Sequence, residues 1–148
     1  MQKLIAHRPP RIAMTFVLIA VAINVLMPLP VHPALPVAAG ITGLLGFTLM
    51  IRAWWLFKVA QTAICPTRQS TVLVTHDVFS FSRNPMYLGM LLMLVGIAMA
   101  MGGMAFYVAA IAYGVVISRV FCPYEEQKAR DEFGESYAAY ARRVRRWL

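Results

Sequence analysis

Charged side chains are rare in this chain, and the few that lie near long apolar stretches are the first candidates for chemistry. Only 14% of its 148 residues are Asp, Glu, Lys or Arg, against about 25% in an ordinary soluble domain. The candidates are Arg52, His76-Asp77, Arg83, Arg119 and Glu125-Glu126. An arginine that faces a protein interior can hold a carboxylate or phosphate in a forked pair, and a His-Asp pair can exchange protons. The plainer interpretations are a surface turn at His76-Asp77 and arginines that extend to the lipid headgroups, which we expect for Arg52 and weigh equally with anion binding for Arg119.

The remaining titratable residues argue against metal, redox and transport chemistry. Cys65 and Cys122 lack a partner at metal-ligand spacing and fall near the side where thiols stay reduced, so we expect neither a metal site nor a disulfide. A proton-coupled transporter usually carries a carboxylate or histidine inside a span, and these apolar stretches hold none there. The net charge of +8 is clustered beside the apolar stretches, which indicates membrane orientation and not nucleic-acid binding.

Two stretches without any Asp, Glu, Lys or Arg determine the fold class. They run from Ile12 to Ile51 and from Asn84 to Ser118, in a chain that is 60% apolar with a mean hydropathy of +0.66. A single span needs about 20 apolar residues, so each stretch has room for a helical hairpin. The sequence therefore predicts one all-α membrane domain, 1–148, without a Rossmann fold. Its four predicted transmembrane helices cover about 12–27, 37–57, 86–101 and 104–121.

The turns between these spans set the predicted orientation. The four prolines of Pro28–Pro36 and the pair Gly102-Gly103 interrupt the helices, and neither turn contains Lys or Arg. All basic residues then lie on the other side, which places both termini in the cytoplasm. A signal peptide at residues 1–30 is the less favoured alternative. Small residues form stripes on two spans, for packing within the chain or in a dimer: Gly40, Gly43, Gly46, Gly89, Gly96 and Ala100.

Two polar segments remain, a loop over 58–85 and a tail over 125–147. The loop contains a short β-branched run, Ser70–Thr75, that favours an extended conformation. In the tail, apolar and aromatic residues recur every three or four positions from Phe133 to Val144, which predicts an amphipathic helix with Gly134 inside it. Such a basic, aromatic helix lies along the membrane surface, and the simplest role for it is an interfacial anchor.

Two strings in these segments are more specific than any single residue. The first, Leu73–Gly89, ends in Arg-Asn-Pro-Met-Tyr-Leu-Gly; the second, Pro123–Leu148, contains Glu-Glu, then Phe-Gly-x-x-Tyr-x-x-Tyr, then Arg-Val. In this order and separation they resemble the isoprenylcysteine carboxyl methyltransferase family, which is similar to the phospholipid N-methyltransferases. The first two spans match the family only as hydrophobic helices.

The resemblance implies an integral-membrane enzyme that uses S-adenosylmethionine and releases S-adenosylhomocysteine. By position, the implied cofactor-binding residues are Thr71, Val72, Leu73, Val74, Phe79, Asn84, Pro85, Met86, Tyr87 and Glu125. Arg83 and Arg143 match arginines that the family links to activity. The implied acceptor is lipophilic and enters from the bilayer: a prenylcysteine-like carboxylate, a lipid amine or another small nucleophile. Arg119 is an approximate substitute for the family's substrate-binding arginine.

Four positions depart from the family pattern. Asp77 replaces a glycine, Asn84 stands where histidine is common, Ala129 replaces a leucine, and Phe121 occupies the position of the substrate-binding arginine. Asparagine can still donate and accept hydrogen bonds, and aspartate tolerates a positive φ better than most residues. The alternative that these departures support is a non-catalytic membrane protein or small transporter that retains the fold.

Overall fold

The computed structural model of the protein describes residues 9–31, 33–62 and 71–148, and these residues form helices. They are α1 (Pro9–Leu26), α2 (Pro36–Val59), a 3₁₀ turn (Asp77–Ser80), α3 (Pro85–Met101), α4 (Met104–Val116), a π-helical turn (Ile117–Phe121) and α5 (Cys122–Arg143). Within the described residues the only strand-like pairing is one bridge between Pro30 and Gly103. Cys65, expected to be a free thiol, and Ser70, at the start of the expected extended run, lie outside the described residues.

The helices confirm the prediction of an all-α membrane protein. By length and composition α1, α2 and the continuous helix Met104–Arg143 can each cross a bilayer, and α3 is an apolar helix of 17 residues. Large apolar side chains along α1 and α2 are exposed, as a lipid environment requires. Four apolar helices therefore lie where the hydropathy pattern placed the spans, within a few residues at each end.

Glycines bring the backbones of α2 and α3 into close contact. A Cβ atom built on Gly46 would lie 2.5 Å from the carbonyl oxygen of Gly89, and one built on Gly96 would lie 3.0 Å from the carbonyl oxygen of Ala39. Around Gly40, by contrast, the space is open. At Gly46, Gly89 and Gly96 the small-residue stripes therefore serve packing within the chain, because no side chain fits between these backbones.

The two turns expected on the outer side contact each other. The Val31 amide donates to the Gly102 carbonyl at 2.8 Å, and the Met104 amide donates to the Leu29 carbonyl at 2.9 Å. Gly102 has φ 66° and ends α3 in the left-handed conformation that glycine adopts most readily. These bonds satisfy backbone groups that no helix can pair. They place the two turns at one end of the bundle. The location of the termini in the cytoplasm remains a prediction.

The fourth predicted span, 104–121, does not end in a helix break, because α4 continues through the π-helical turn into α5. In the π-helical turn the Cys122 amide donates to the carbonyl of Ile117, five residues earlier. The next carbonyl in that register belongs to Ser118, and its partner would be Pro123, which has no N–H. Arg146 Nη1 supplies the missing donor at 3.4 Å. A proline is tolerated here because a side chain from elsewhere bonds to the carbonyl.

The tail helix differs from its predicted form in two ways. Gly134 has φ 52° and ψ −126° and kinks α5, so it is a conformational break and not a residue merely tolerated in a helix. The helix ends at Arg143, before the predicted 147. Its apolar face is present as expected, and Tyr137, Tyr140 and Val144 pack with Leu73 of the loop. This face is therefore covered by protein.

Candidate active site

The turn before α3 and the segment after α5 are in direct contact. The Arg83 amide donates to the Arg145 carbonyl at 3.0 Å. The Arg146 carbonyl accepts from Ser82 Oγ at 3.3 Å and from Asn84 Nδ2 at 3.3 Å. Ser82 and Asn84 are buried. The two strings that carry the family resemblance thus meet at one end of the helical bundle.

A buried carboxylate with two arginines reinforces this contact. Glu126, whose side chain is 5% exposed, accepts from Arg146 Nε at 2.7 Å and Nη2 at 2.9 Å, and it lies 3.3 Å from Arg83 Nη2. Burial acts to raise the pKa of Glu126, but the Arg146 hydrogen bonds and the two positive charges outweigh it and leave that pKa below its usual value. Glu126 is therefore ionised at neutral pH and holds both arginines.

The guanidinium of Arg83 has a donor to spare. Nη1 donates to the Ala141 carbonyl at 3.4 Å and Nη2 faces Glu126, while the buried Nε finds no acceptor within the described part of the chain. A buried donor without an acceptor costs about 1–3 kcal/mol. An acceptor oxygen from a bound molecule would remove that cost.

The neighbouring carboxyl group, Glu125, has a different environment. Its Oε1 accepts a 2.5 Å hydrogen bond from the Tyr87 hydroxyl in the first turn of α3. Burial raises the pKa of Glu125 to about 7, against the opposing effect of that hydrogen bond. Two adjacent carboxyl groups thus differ in charge near neutral pH, because only Glu126 has arginine partners. Such a difference is typical of functional sites.

The 3₁₀ turn of the loop is anchored by the residue that replaces the family glycine. Asp77 has φ 59°, the left-handed conformation that a glycine adopts without strain. Its Oδ2 accepts from Arg52 Nη2 at 2.6 Å and Nε at 3.0 Å, and its Oδ1 accepts from the Val78 amide at 2.8 Å. The hydrogen bonds from Arg52 lower the pKa of Asp77. Arg52, which we expected to extend to the lipid headgroups, thus pairs with the loop while half of its side chain stays exposed.

The other predicted cofactor residues line the loop and the start of α3. Phe79 is buried with its ring edge-to-face on Phe57, 5.2 Å between centroids, and its carbonyl accepts from Tyr140 Oη at 2.7 Å. Thr71 and Val72 are exposed, and their amides donate to Thr62 Oγ1 at 3.0 and 3.4 Å. The rest lie buried or half-buried between these points: Leu73, Val74, Pro85 and Met86. Of these positions, Leu73 and Phe79 contact the tail helix, as Asn84 contacts Arg146 and Tyr87 contacts Glu125.

Two predicted arginines lie elsewhere. Arg143 is exposed, and the arginine that reaches Glu126 from the tail is Arg146. Arg119 is exposed and lies on an apolar cleft of about 450 Å³ between α3 and α4. The residues that line the cleft are Leu88, Leu91, Ile111, Gly114, Val115, Ser118, Arg119 and Trp147.

Sequence reasoning missed Ser82, Tyr140 and Arg146 as members of the site, and it gave Glu126, a candidate by its charge, no specific role. Arg146 stands in the run Arg-Arg-Val-Arg-Arg. The family motif matches one arginine of this run, Arg143, and nothing else in the sequence distinguishes the other three. The available signal was the adjacency of Glu126 to a matched glutamate in a chain with few charges. A buried acid in such a chain requires a basic partner.

The fold defines a helical membrane protein, and comparison with known proteins gives its class. The chain belongs to the phospholipid methyltransferase family, whose model matches residues 35–136. This match includes the loop, α3, α4 and both glutamates, and it ends before Arg143 and Arg146. The resemblance drawn from the two strings is therefore confirmed.

Two curated relatives come from Arabidopsis thaliana. Protein-S-isoprenylcysteine O-methyltransferase B is 39% identical over 75 residues, which are 49% of this chain and 36% of the plant protein. Protein-S-isoprenylcysteine O-methyltransferase A has the same identity over the same length. The matched segment thus spans about a third of these relatives. No solved structure matches the chain.

Proposed function

We propose that this protein is an integral-membrane methyltransferase that uses S-adenosylmethionine to methylate a lipophilic acceptor. Family membership and the apolar helices support the class of reaction and the membrane setting. The observation that carries the proposal for this chain is the Tyr87–Glu125 hydrogen bond, 2.5 Å long, beside the Glu126 cluster. It joins the loop string to the tail string and makes one polar site at the end of an apolar bundle.

The residues present fit the methyl donor. The methionine carboxylate of S-adenosylmethionine would be an acceptor for the unpaired Nε of Arg83. Glu125 Oε1 accepts from Tyr87, which leaves Oε2 to accept a ribose hydroxyl or an amino hydrogen. Val74 and Phe79 would flank the adenine as an apolar wall, and Arg83 and Asn84 would be held in place by the tail. Arg143, exposed in the last turn of α5, would cover the site from outside.

The chemistry asked of these residues is modest. When bound, S-adenosylmethionine supplies a methyl group already activated by its sulfonium. The protein has to orient the donor, align the acceptor and exclude water. A carboxylate acceptor needs no base, and an amine acceptor has only to be neutral. Glu125, with its pKa of about 7, can hold or accept one proton near neutral pH.

The acceptor would enter through the cleft between α3 and α4. Its walls are apolar apart from Ser118 and Arg119, so an acyl or prenyl chain fits its chemistry. Arg119 would hold an anionic group of the acceptor in a forked pair. Phe121, at the position of the family's substrate-binding arginine, is buried and cannot take that role. A prenylcysteine-like carboxylate and an anionic lipid that carries an amine both satisfy these conditions.

Isothermal titration of the purified protein in detergent with S-adenosylhomocysteine tests the proposal. We expect saturable binding that Tyr87→Phe and Glu125→Gln weaken by about tenfold, the loss of one hydrogen bond to a polar ligand or its positioning group. Incubation with labelled S-adenosylmethionine and a membrane extract then identifies the methylated product. No binding to the folded protein would contradict the proposal. Binding without any methylated product would favour the non-catalytic alternative.

A further inference from the structure

The segment after α5 turns back on the bundle, and one of its residues makes an unusual number of polar contacts. Arg146 donates to both oxygens of Glu126 and to the Ser118 carbonyl, while its own carbonyl accepts from Ser82 and Asn84. Its neighbour Trp147 packs on the buried cluster that contains Tyr87. Arg146 thus connects the turn before α3, the π-helical turn and α5.

We propose that Arg146 is a positioning residue for the methyl-donor site, acting through Glu126 on Arg83 and through its carbonyl on Asn84. The part that concerns ligand binding rests on the proposed function; the part that concerns the placement of Arg83 does not. Arg146 has this role because it neutralises a buried carboxylate that Arg83 meets only at 3.3 Å. Without Arg146, Arg83 would be the one ion-pair partner left to Glu126 among the described residues, and the carboxylate would draw its guanidinium closer.

The guanidinium shape matters as much as its charge. Arg146 approaches Glu126 with two nitrogens at 2.7 and 2.9 Å and still places Nη1 3.4 Å from the Ser118 carbonyl. A lysine ammonium can pair with Glu126 as a point charge but cannot reproduce this fork. The carbonyl of Ser118 would then lose its donor, since Pro123 offers none.

Arg142 is a suitable control. It is an arginine in the last turn of α5, and its side chain is exposed. Replacement of Arg142 removes the same charge from the same region without touching Glu126. Any effect of net charge on insertion or on detergent binding will appear in both variants.

Hydrogen exchange of the Arg83 amide, which donates to the Arg145 carbonyl, tests the structural part without any ligand. We expect Arg146→Ala to accelerate exchange of a peptide containing Ser82–Asn84 by about tenfold or more, because local opening becomes easier. Arg142→Ala should leave it unchanged. Equal exchange in wild type and Arg146→Ala would overturn the proposal.

Titration with S-adenosylhomocysteine tests the functional part. Loss of a partner from a buried charge pair predicts a dissociation constant raised by about thirtyfold in Arg146→Ala. Arg146→Lys should give an intermediate value, and it carries the test if Arg146→Ala does not insert. In the double variant with Glu126→Gln the two effects should not add, because one residue acts through the other. Additive effects, or wild-type binding by Arg146→Lys and Arg146→Ala, would contradict the proposal.

The two failures can be told apart. If wild type does not bind the ligand, the proposed function fails, while the exchange experiment still decides whether Arg146 places Arg83. If wild type binds and Arg146→Ala binds equally well, the proposed function stands and the positioning role is wrong.

Discussion

The Tyr87 hydroxyl, in the first turn of α3, donates a hydrogen bond to Glu125 Oε1, in the first turn of α5, across 38 positions of sequence. Between these residues lie the rest of α3, the outer turn and all of α4. The bond therefore forms only when α3 and α4 pack side by side in opposite directions, which brings both ends of this hairpin to the proposed site.

Glu125 should make the stability of the protein depend on pH. Its pKa of about 7 in the folded state lies above the ordinary 4.5, so the folded protein binds more protons between these values. The free energy of unfolding should therefore fall as the pH rises from about 4.5 to 7, by on the order of 1–3 kcal/mol. Unfolding in detergent at several pH values measures this.

Glu125→Gln is the control for that dependence, since an amide does not titrate. The difference between wild type and variant should change across the window and be constant above pH 8. A difference that is the same at pH 5 and at pH 8 would show that Glu125 titrates as it does in water.

Asp77 should be replaceable by glycine but not by valine. Its φ of 59° suits glycine, and a β-branched residue is strained there. We expect Asp77→Val to lower the melting temperature by about 4 °C or more, and Asp77→Gly to keep ligand binding although it loses the ion pair with Arg52. Thermal unfolding and titration of both variants check this. Equal tolerance of valine and glycine would be inconsistent with the loop conformation.

Gly89 should not tolerate even one added carbon. A Cβ at this position would lie 2.5 Å from the Gly46 carbonyl oxygen, a backbone atom that cannot move without shifting α2. Gly89→Ala should cost about 1–3 kcal/mol, as overpacking does. Gly40→Ala, in open space, should be neutral and is the matched control. Unfolding in detergent distinguishes them, and similar stabilities would mean that α2 and α3 are farther apart.

Arg119 should affect the acceptor and not the donor. It lines the cleft between α3 and α4 and has no part in the Glu126 cluster. Arg119→Ala should raise the KM for an anionic lipophilic acceptor by about tenfold, a typical loss for one charged hydrogen bond, with the dissociation constant of S-adenosylhomocysteine unchanged. If both constants change together, the cleft is not a separate acceptor site.

The sequence predicted the four apolar helices well because their signals are local. Pro28–Pro36 and Gly102-Gly103 interrupt apolar stretches of spanning length, and the observed helix ends lie near the expected ones. The continuation of the helix through Pro123 could not be predicted, because it depends on a π-helical register and on Arg146. The contacts of Arg146 could not be predicted either, for a related reason. Arg146 meets Glu126 from 20 positions away and Asn84 from 62, a distance over which spacing carries no information.

Photo-crosslinking of labelled S-adenosylmethionine, followed by mapping of the labelled peptides, tests the central claim most directly. Two segments, Thr71–Tyr87 and Glu125–Arg146, should both carry label, and excess S-adenosylhomocysteine should abolish it. Label confined to α1 or to the outer turns, or no protectable label on the folded protein, would contradict the account.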